Sequence, residues 1–201
     1  MRGVNFYRNE AMNIMCCQKF FLKERWIMNN RQQATEKITN FLKSENKILL
    51  LTGTYQYEKH KLVLQQIARS VLSPSSILFR ANGMDNVSSF LGKSTTRFQT
   101  GTPYKLGNHK LFIDTINVGS WKRTYDEYDF AILYPIDSVL KMKNKEAILD
   151  DLCIRRHIGK IFIVSWTDHE SDDYSWLDKY QLDDRVIFDA EEENPKYHAR
   201  V

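Results

Sequence analysis

The chain has 201 residues, 42% hydrophobic and 27% charged, with a formal net charge of +4 at pH 7. That composition belongs to a folded globular protein with one substantial core, and it excludes a disordered, collagenous or disulfide-rich chain. Its three cysteines, Cys16, Cys17 and Cys153, form neither a disulfide framework nor metal-binding spacing, which points to a reducing, cytoplasmic setting.

No run approaches the roughly 18 apolar residues of a membrane span, so none is expected. Charge is uneven. Up to residue 167, 25 Lys and Arg stand against 14 Asp and Glu, whereas residues 168–193 hold 11 acids and only Lys179 and Arg185. The asymmetry fits an anionic partner, nucleic acid included, and equally an intramolecular or subunit-to-subunit complement.

Residues 1–27 read as a basic, poorly ordered extension, in which Phe20, Phe21 and Trp26 lie among Lys19, Lys23 and Arg25. The folded domain is expected over 28–192, with a tail at 193–201. Ala34, Ile38, Phe41 and Leu42 recur at helical spacing, which predicts an amphipathic helix over 30–44 with Asn29 or Asn30 as its cap. Residues 47–52 (KILLLT) form an apolar run ending at Gly53, suited to a strand buried on both faces. A second helix starts near Glu58, buries Val63, Leu64, Ile67, Ala68, Val71 and Leu72, and stops at Ser73 and Pro74.

Residues 76–81 (SILFRA) are the next strand, with Asn82 and Gly83 turning out of it. Further strands are expected at 110–116 (KLFIDTI), 130–134 (FAILY), 160–165 (KIFIVS) and 185–189 (RVIFD), with a helix over 145–156 that turns Ile148, Leu149 and Leu152 inward. Strands alternating with helices of this length imply an α/β fold: a mainly parallel sheet with helices on both faces, in three layers. Ligands in such sheets sit at the carboxyl ends of the strands. That edge would carry residues 53–59, 134–137 and 165–168.

The order and spacing of these segments resemble the nucleotide-binding core of the AAA-type P-loop ATPases over residues 30–192. RQQATEKITNFLKSE leads into KILLLTG as their leading helix and first strand do, and GTYQYEKH, residues 53–60, has the length and the lysine of a GxxxxGK[ST] loop. SILFRANGMDNVSSFLGKSTTRF is similar to their second strand and following helix, FAILYPIDSVL to their Walker B strand, and KIFIVSWTD to the strand bearing the first sensor residue. The resemblance implies a P-loop NTPase-like fold and ATP or ADP, with magnesium, as cofactor, with Gly53, Lys59, His60, Asp137 and Ser165 as cofactor-binding positions and no residue assigned as a metal ligand.

The departures fall where the chemistry is. A phosphate loop works because backbone N–H groups and a helix N-terminus converge on the phosphates, lysine neutralises charge, and Ser or Thr ligates magnesium. Here Gly53 and Lys59 remain, but Glu58 replaces the second glycine and His60 replaces the hydroxyl. A carboxylate about 4 Å from a phosphate is repelled by ~1 kcal/mol in water and ~4 kcal/mol near a protein surface. Tyr134 and Pro135 stand where a metal-holding aspartate and a water-orienting glutamate belong, and Asp137 follows two residues later. Asp114 offers an alternative Walker B register, again without a following glutamate.

Other features read plainly. Gly92 to Thr95 (GKST) imitates the tail of a phosphate loop, but Val87 occupies its first glycine position and a helix-to-loop turn is the simpler assignment. Cys153 is expected in the core; His157, one helical turn later, has the spacing of a base for a thiol, without an orienting carboxylate or pocket. Asp168, His169, Glu170, Asp172 and Asp173 form an acidic cluster without the glycine of a calcium loop. Lys141, Lys143, Lys145, Arg155, Arg156 and Lys160, with Trp121, Lys122 and Arg123, supply positive charge for phosphate contacts but no base-reading motif.

The expected function is therefore a catalytically eroded AAA-like domain acting as a binding or regulatory partner, through a protein partner or self-association, with weak nucleotide contact. Two alternatives stand beside it. One is an active ATPase subunit that completes its site within an oligomer, and the other is a basic nucleic-acid accessory protein on the same scaffold.

Overall fold

The computed structural model describes residues 29–200 apart from 94, 141 and 168–171. The extension expected at 1–27 lies outside the described residues. From Asn30, whose side chain accepts the Gln33 amide, α1 runs over Arg31–Lys43, and β1 (Ile48–Thr52) follows. Then come α2 (Lys59–Ser70), β2 (Ser76–Ala81) and α3 (Met84–Phe90). A hairpin of β3 (Tyr104–Leu106) and β4 (His109–Thr115) leads through α4 (Val118–Trp121) to β5 (Glu127–Tyr134). The chain continues through α5 (Asp137–Leu140), α6 (Lys145–Asp150), β6 (His157–Val164), a 3₁₀ turn (Ser175–Tyr180), β7 (Asp184–Ile187) and α7 (Pro195–His198).

The strands form one sheet in the order β3-β4-β2-β5-β6-β1-β7, with every pairing parallel except β3 with β4. Side chains alternate between its faces. Leu49 and Leu51 of β1 enter a core with Ile38 and Phe41 of α1, Val63 and Ile67 of α2, and Phe90 of α3. Ile48 and Leu50 enter the opposite core with Trp121, Val139, Ile148, Leu149 and Leu177. Two apolar layers on one sheet make this a three-layer α/β fold.

Several elements differ from their expected bounds. β5 and β6 begin three residues early, at Glu127 and His157, where exposed residues alternate with buried ones and the segment does not read as an apolar run. The helix expected over 145–156 is α-helical only to Asp150 and continues as a π-helical turn over Asp151–Arg155. β3 was not anticipated; its three residues carry too little pattern.

A charged chain crosses the second core. Arg80 and Asp114 are register partners on β2 and β4, both fully buried, and the Arg80 guanidinium meets Asp114 Oδ1 at 2.8 Å and Oδ2 at 2.6 Å. Arg80 also lies 2.8 Å from Asp151 on the π-helical turn, and Asp151 lies 2.7 Å from Arg156. Each buried charge thus has an opposite partner, the condition under which burial is tolerated.

For the candidate site the decisive point is adjacency. Because β6 lies between β1 and β5, the carboxyl ends of the three strands that carry the loop, Asp137 and Ser165 stand side by side.

Candidate functional site

β1 delivers the chain into a glycine whose φ is +111°; a side chain at Gly53 would run into the backbone of Phe188, so this turn requires glycine. The loop amides then find acceptors inside the chain. Thr54 N donates to Asp189 Oδ1 at 2.9 Å, Tyr55 N to Phe188 O at 3.2 Å, Gln56 N to Thr54 O at 2.9 Å, and Glu58 N to Tyr55 O at 3.3 Å. In a phosphate cradle such donors face the anion. Here these four face the protein.

Lys59, the first residue of α2, has no exposed surface. Its ammonium donates to the carbonyl of Gly53 and, at 3.0 Å, to that of Trp166. It therefore ties the turn after β1 to the turn after β6. A buried ammonium needs such partners to offset lost hydration. Glu58, which the sequence suggested would repel a phosphate, is 3.2 Å from both Arg31 and Lys61. Its charge is engaged by α1 and by its own helix.

His60 points inward. Its Nε2 is 2.7 Å from the Phe90 carbonyl, its ring stacks on Tyr134 with centroids 3.9 Å apart, and its buried Nδ1 has no partner. Burial pulls its pKa down to about 4. Tyr134, where the resemblance would put a metal-holding carboxylate, is also fully buried. Its hydroxyl donates to Gln56 O at 3.0 Å, and its ring lies parallel to Trp166 at 6.1 Å and edge-on to Phe90 at 4.8 Å. Tyr57 adds an edge contact to Trp166 at 5.4 Å. An aromatic stack of His60, Tyr134 and Trp166 thus fills the volume behind the loop.

Asp137 opens α5 and accepts the Trp166 amide at 2.6 Å and the Thr167 amide at 3.3 Å. Burial raises its pKa, while those amides and the nearby Lys59 charge oppose the rise. Ser165 is fully buried, its amide bonded to Leu51 O at 3.0 Å and its hydroxyl without a partner. All five sequence candidates, Gly53, Lys59, His60, Asp137 and Ser165, therefore gather at one sheet edge. Lys59 and Asp137 both act on the Trp166 turn.

Sequence reasoning missed the segment that covers the loop. Asp189 takes Thr54 N with one oxygen and, at 3.0 Å, the Asn29 side chain with the other. Ala190 N donates to Thr54 Oγ1 at 3.0 Å, and His198 Nδ1 lies 2.8 Å from the same hydroxyl. Glu193 is 2.6 Å from Arg31 and accepts the Tyr55 hydroxyl at 2.8 Å; the Arg31 contact holds its carboxyl below the usual range. Tyr197 donates to Gln56 Oε1 at 2.9 Å. The acidic excess toward the C-terminus was the available signal: Glu193 pairs with Arg31 of the basic part, and Asp189 accepts neutral N–H donors of the loop and of Asn29.

The other candidates separate. Asp114 is held by Arg80 in the opposite core, away from this edge. Gly92, at φ +63°, closes α3: its amide bonds Ser89 O at 3.1 Å and the Lys93 amide bonds Ser88 O at 2.8 Å. This is a glycine helix stop, and Ser94 lies outside the described residues. Cys153 sits on the π-helical turn with its thiol pushed up to about 12 by burial, and exposed His157 opens β6 instead of continuing a helix. The expected one-turn pairing of the two is corrected.

Of the expected basic group, Arg156 is buried against Asp151, and Lys160 donates to the carbonyls of Ser44 and Asn46 at 2.7 Å each. Lys141 and the acidic residues at 168–170 lie outside the described residues. Among the described residues no group of three metal-ligating side chains occurs, and no helix is long and apolar enough to cross a membrane.

As folded, these residues do not fit a magnesium triphosphate held in the manner of a phosphate loop. The lysine and four loop amides are engaged within the chain, and the Tyr134 ring stands where the resemblance would require a metal-holding carboxylate. A scan against protein-family models finds no match, and a search of curated proteins finds none either.

Proposed function

We propose that this chain is an AAA-like P-loop domain that has lost hydrolysis and works as a binding or regulatory partner. The observation that carries the reading is Lys59, wholly buried and bonded to the Gly53 and Trp166 carbonyls. The adjacency of β1, β6 and β5 supports the resemblance, since ligands of parallel sheets gather at those strand ends. The replacement of each catalytic group supports its erosion.

In this reading ATP or ADP is a weak ligand, because phosphate contact requires Lys59 to leave two carbonyls. The working partner in this reading is a protein or a second copy of the chain, and cysteine usage is compatible with a reducing, cytoplasmic setting. Calorimetry of the full chain with ATP and ADP, with and without magnesium, tests it. The expected result is no binding, or a Kd of about 1 mM or weaker. Tighter magnesium-dependent binding that disappears in both Lys59→Ala and the volume-preserving Lys59→Met would overturn it.

A further inference from the structure

On the flank of the first helical layer, α2 and the β3–β4 hairpin border an open cavity of about 490 Å³. That is within the range of small-molecule pockets, which run to roughly 300–1,000 Å³ with mostly apolar walls. Leu64 and Ala68 of α2 form one wall, Leu91 and Phe98 a second, and Tyr104 and Leu106 of β3 a third. Leu91, Phe98, Tyr104 and Leu106 pack against the first core yet remain half-buried. Their outer surfaces face the cavity.

The charged groups around it are of one sign. Lys61, Lys93 and Lys105 line it, and no acidic side chain does. Glu58 engages Lys61 at 3.2 Å. Lys93 and Lys105 are exposed and have no ion-pair partner among the described residues. Two uncompensated positive charges therefore stand beside an apolar hollow. A polyphosphate would leave the apolar walls wet, a neutral hydrocarbon would gain nothing from the lysines, and a cation would be repelled.

We propose that this cavity binds a small amphipathic anion, a monocarboxylate with an aliphatic body, whose chain lies against Leu64, Phe98 and Leu106 and whose head meets Lys93 and Lys105. The site is separate from the loop at the sheet edge and does not depend on how that loop is used.

Decanoate, kept below its micelle concentration, is the probe, titrated into the full chain and followed by calorimetry and by methyl NMR of the leucines. The expected result is saturable binding that shifts the Leu64, Leu91 and Leu106 methyls and weakens as salt is raised. Lys93→Gln with Lys105→Gln should weaken it about tenfold, the loss of two exposed charge contacts. Ala68→Trp, at an exposed helix position, should abolish it by filling the cavity. Thermal melts of these surface variants confirm that each is folded. No binding, shifts elsewhere, or equal affinity for decyltrimethylammonium would overturn the assignment. So would an acidic peptide with one aliphatic anchor that binds where decanoate does not, which would make this face a protein-docking groove.

Discussion

Lys59 and His60 are consecutive residues, and both have been turned from solvent toward the protein. Lys59 retains the charge expected of a phosphate-loop lysine but directs it at two backbone carbonyls, so its electrostatic role is internal. His60 is held neutral by burial, and this makes a prediction with a definite sign. Its folded pKa of about 4 lies below the unfolded value of 6.5, so the unfolded chain takes up the proton first as pH falls. The contribution of the neutral ring is intact above about pH 6.5 and is lost progressively down to pH 4, about 3 kcal/mol in all. Urea denaturation across this range should show that loss. His60→Gln should have a lower plateau near pH 7 and a shallower acid limb; an unchanged limb would mean that another group controls it.

At the level of elements, the parallel strands were legible because they are buried on both faces and read as apolar runs, as ILLLT and SILFRA do. The alternating first residues of β5 and β6, the three-residue β3 and the four-residue helices α4, α5 and α7 were not, since tertiary contacts decide segments too short to show a period. Arg80 was hidden for the opposite reason. It lies inside an apolar strand, and its partners are 34 and 71 residues away along the chain, at Asp114 and Asp151. Breaking this buried pair from one side should be costly: Arg80→Met or Asp114→Leu alone is expected to lower stability by about 3–5 kcal/mol. The double variant should recover much of that loss. Chemical denaturation of the three variants checks this, and additive losses would show that the pair is not coupled.

For the whole molecule, the sheet order explains why residues chosen from separate motifs meet at one edge, while the contacts that determine their use are long-range and had no local signature. The Trp166 carbonyl, the Tyr134 hydroxyl and the 189–198 segment all reach the loop from distant parts of the chain. That segment is expected to protect the loop. In Glu193→Gln with Tyr197→Phe, amide exchange over residues 54–58 should rise about tenfold while β1, β5 and β6 keep their protection, because local opening needs only the loss of the covering contacts. A simultaneous rise in the strands would instead make the segment part of the global fold. The central claim, that Lys59 serves the fold and not a phosphate, is tested most directly by steady-state ATP turnover of the purified full chain with magnesium, alongside Lys59→Ala. The account predicts phosphate release at the no-enzyme rate for both proteins; magnesium-dependent turnover that Lys59→Ala abolishes would contradict it.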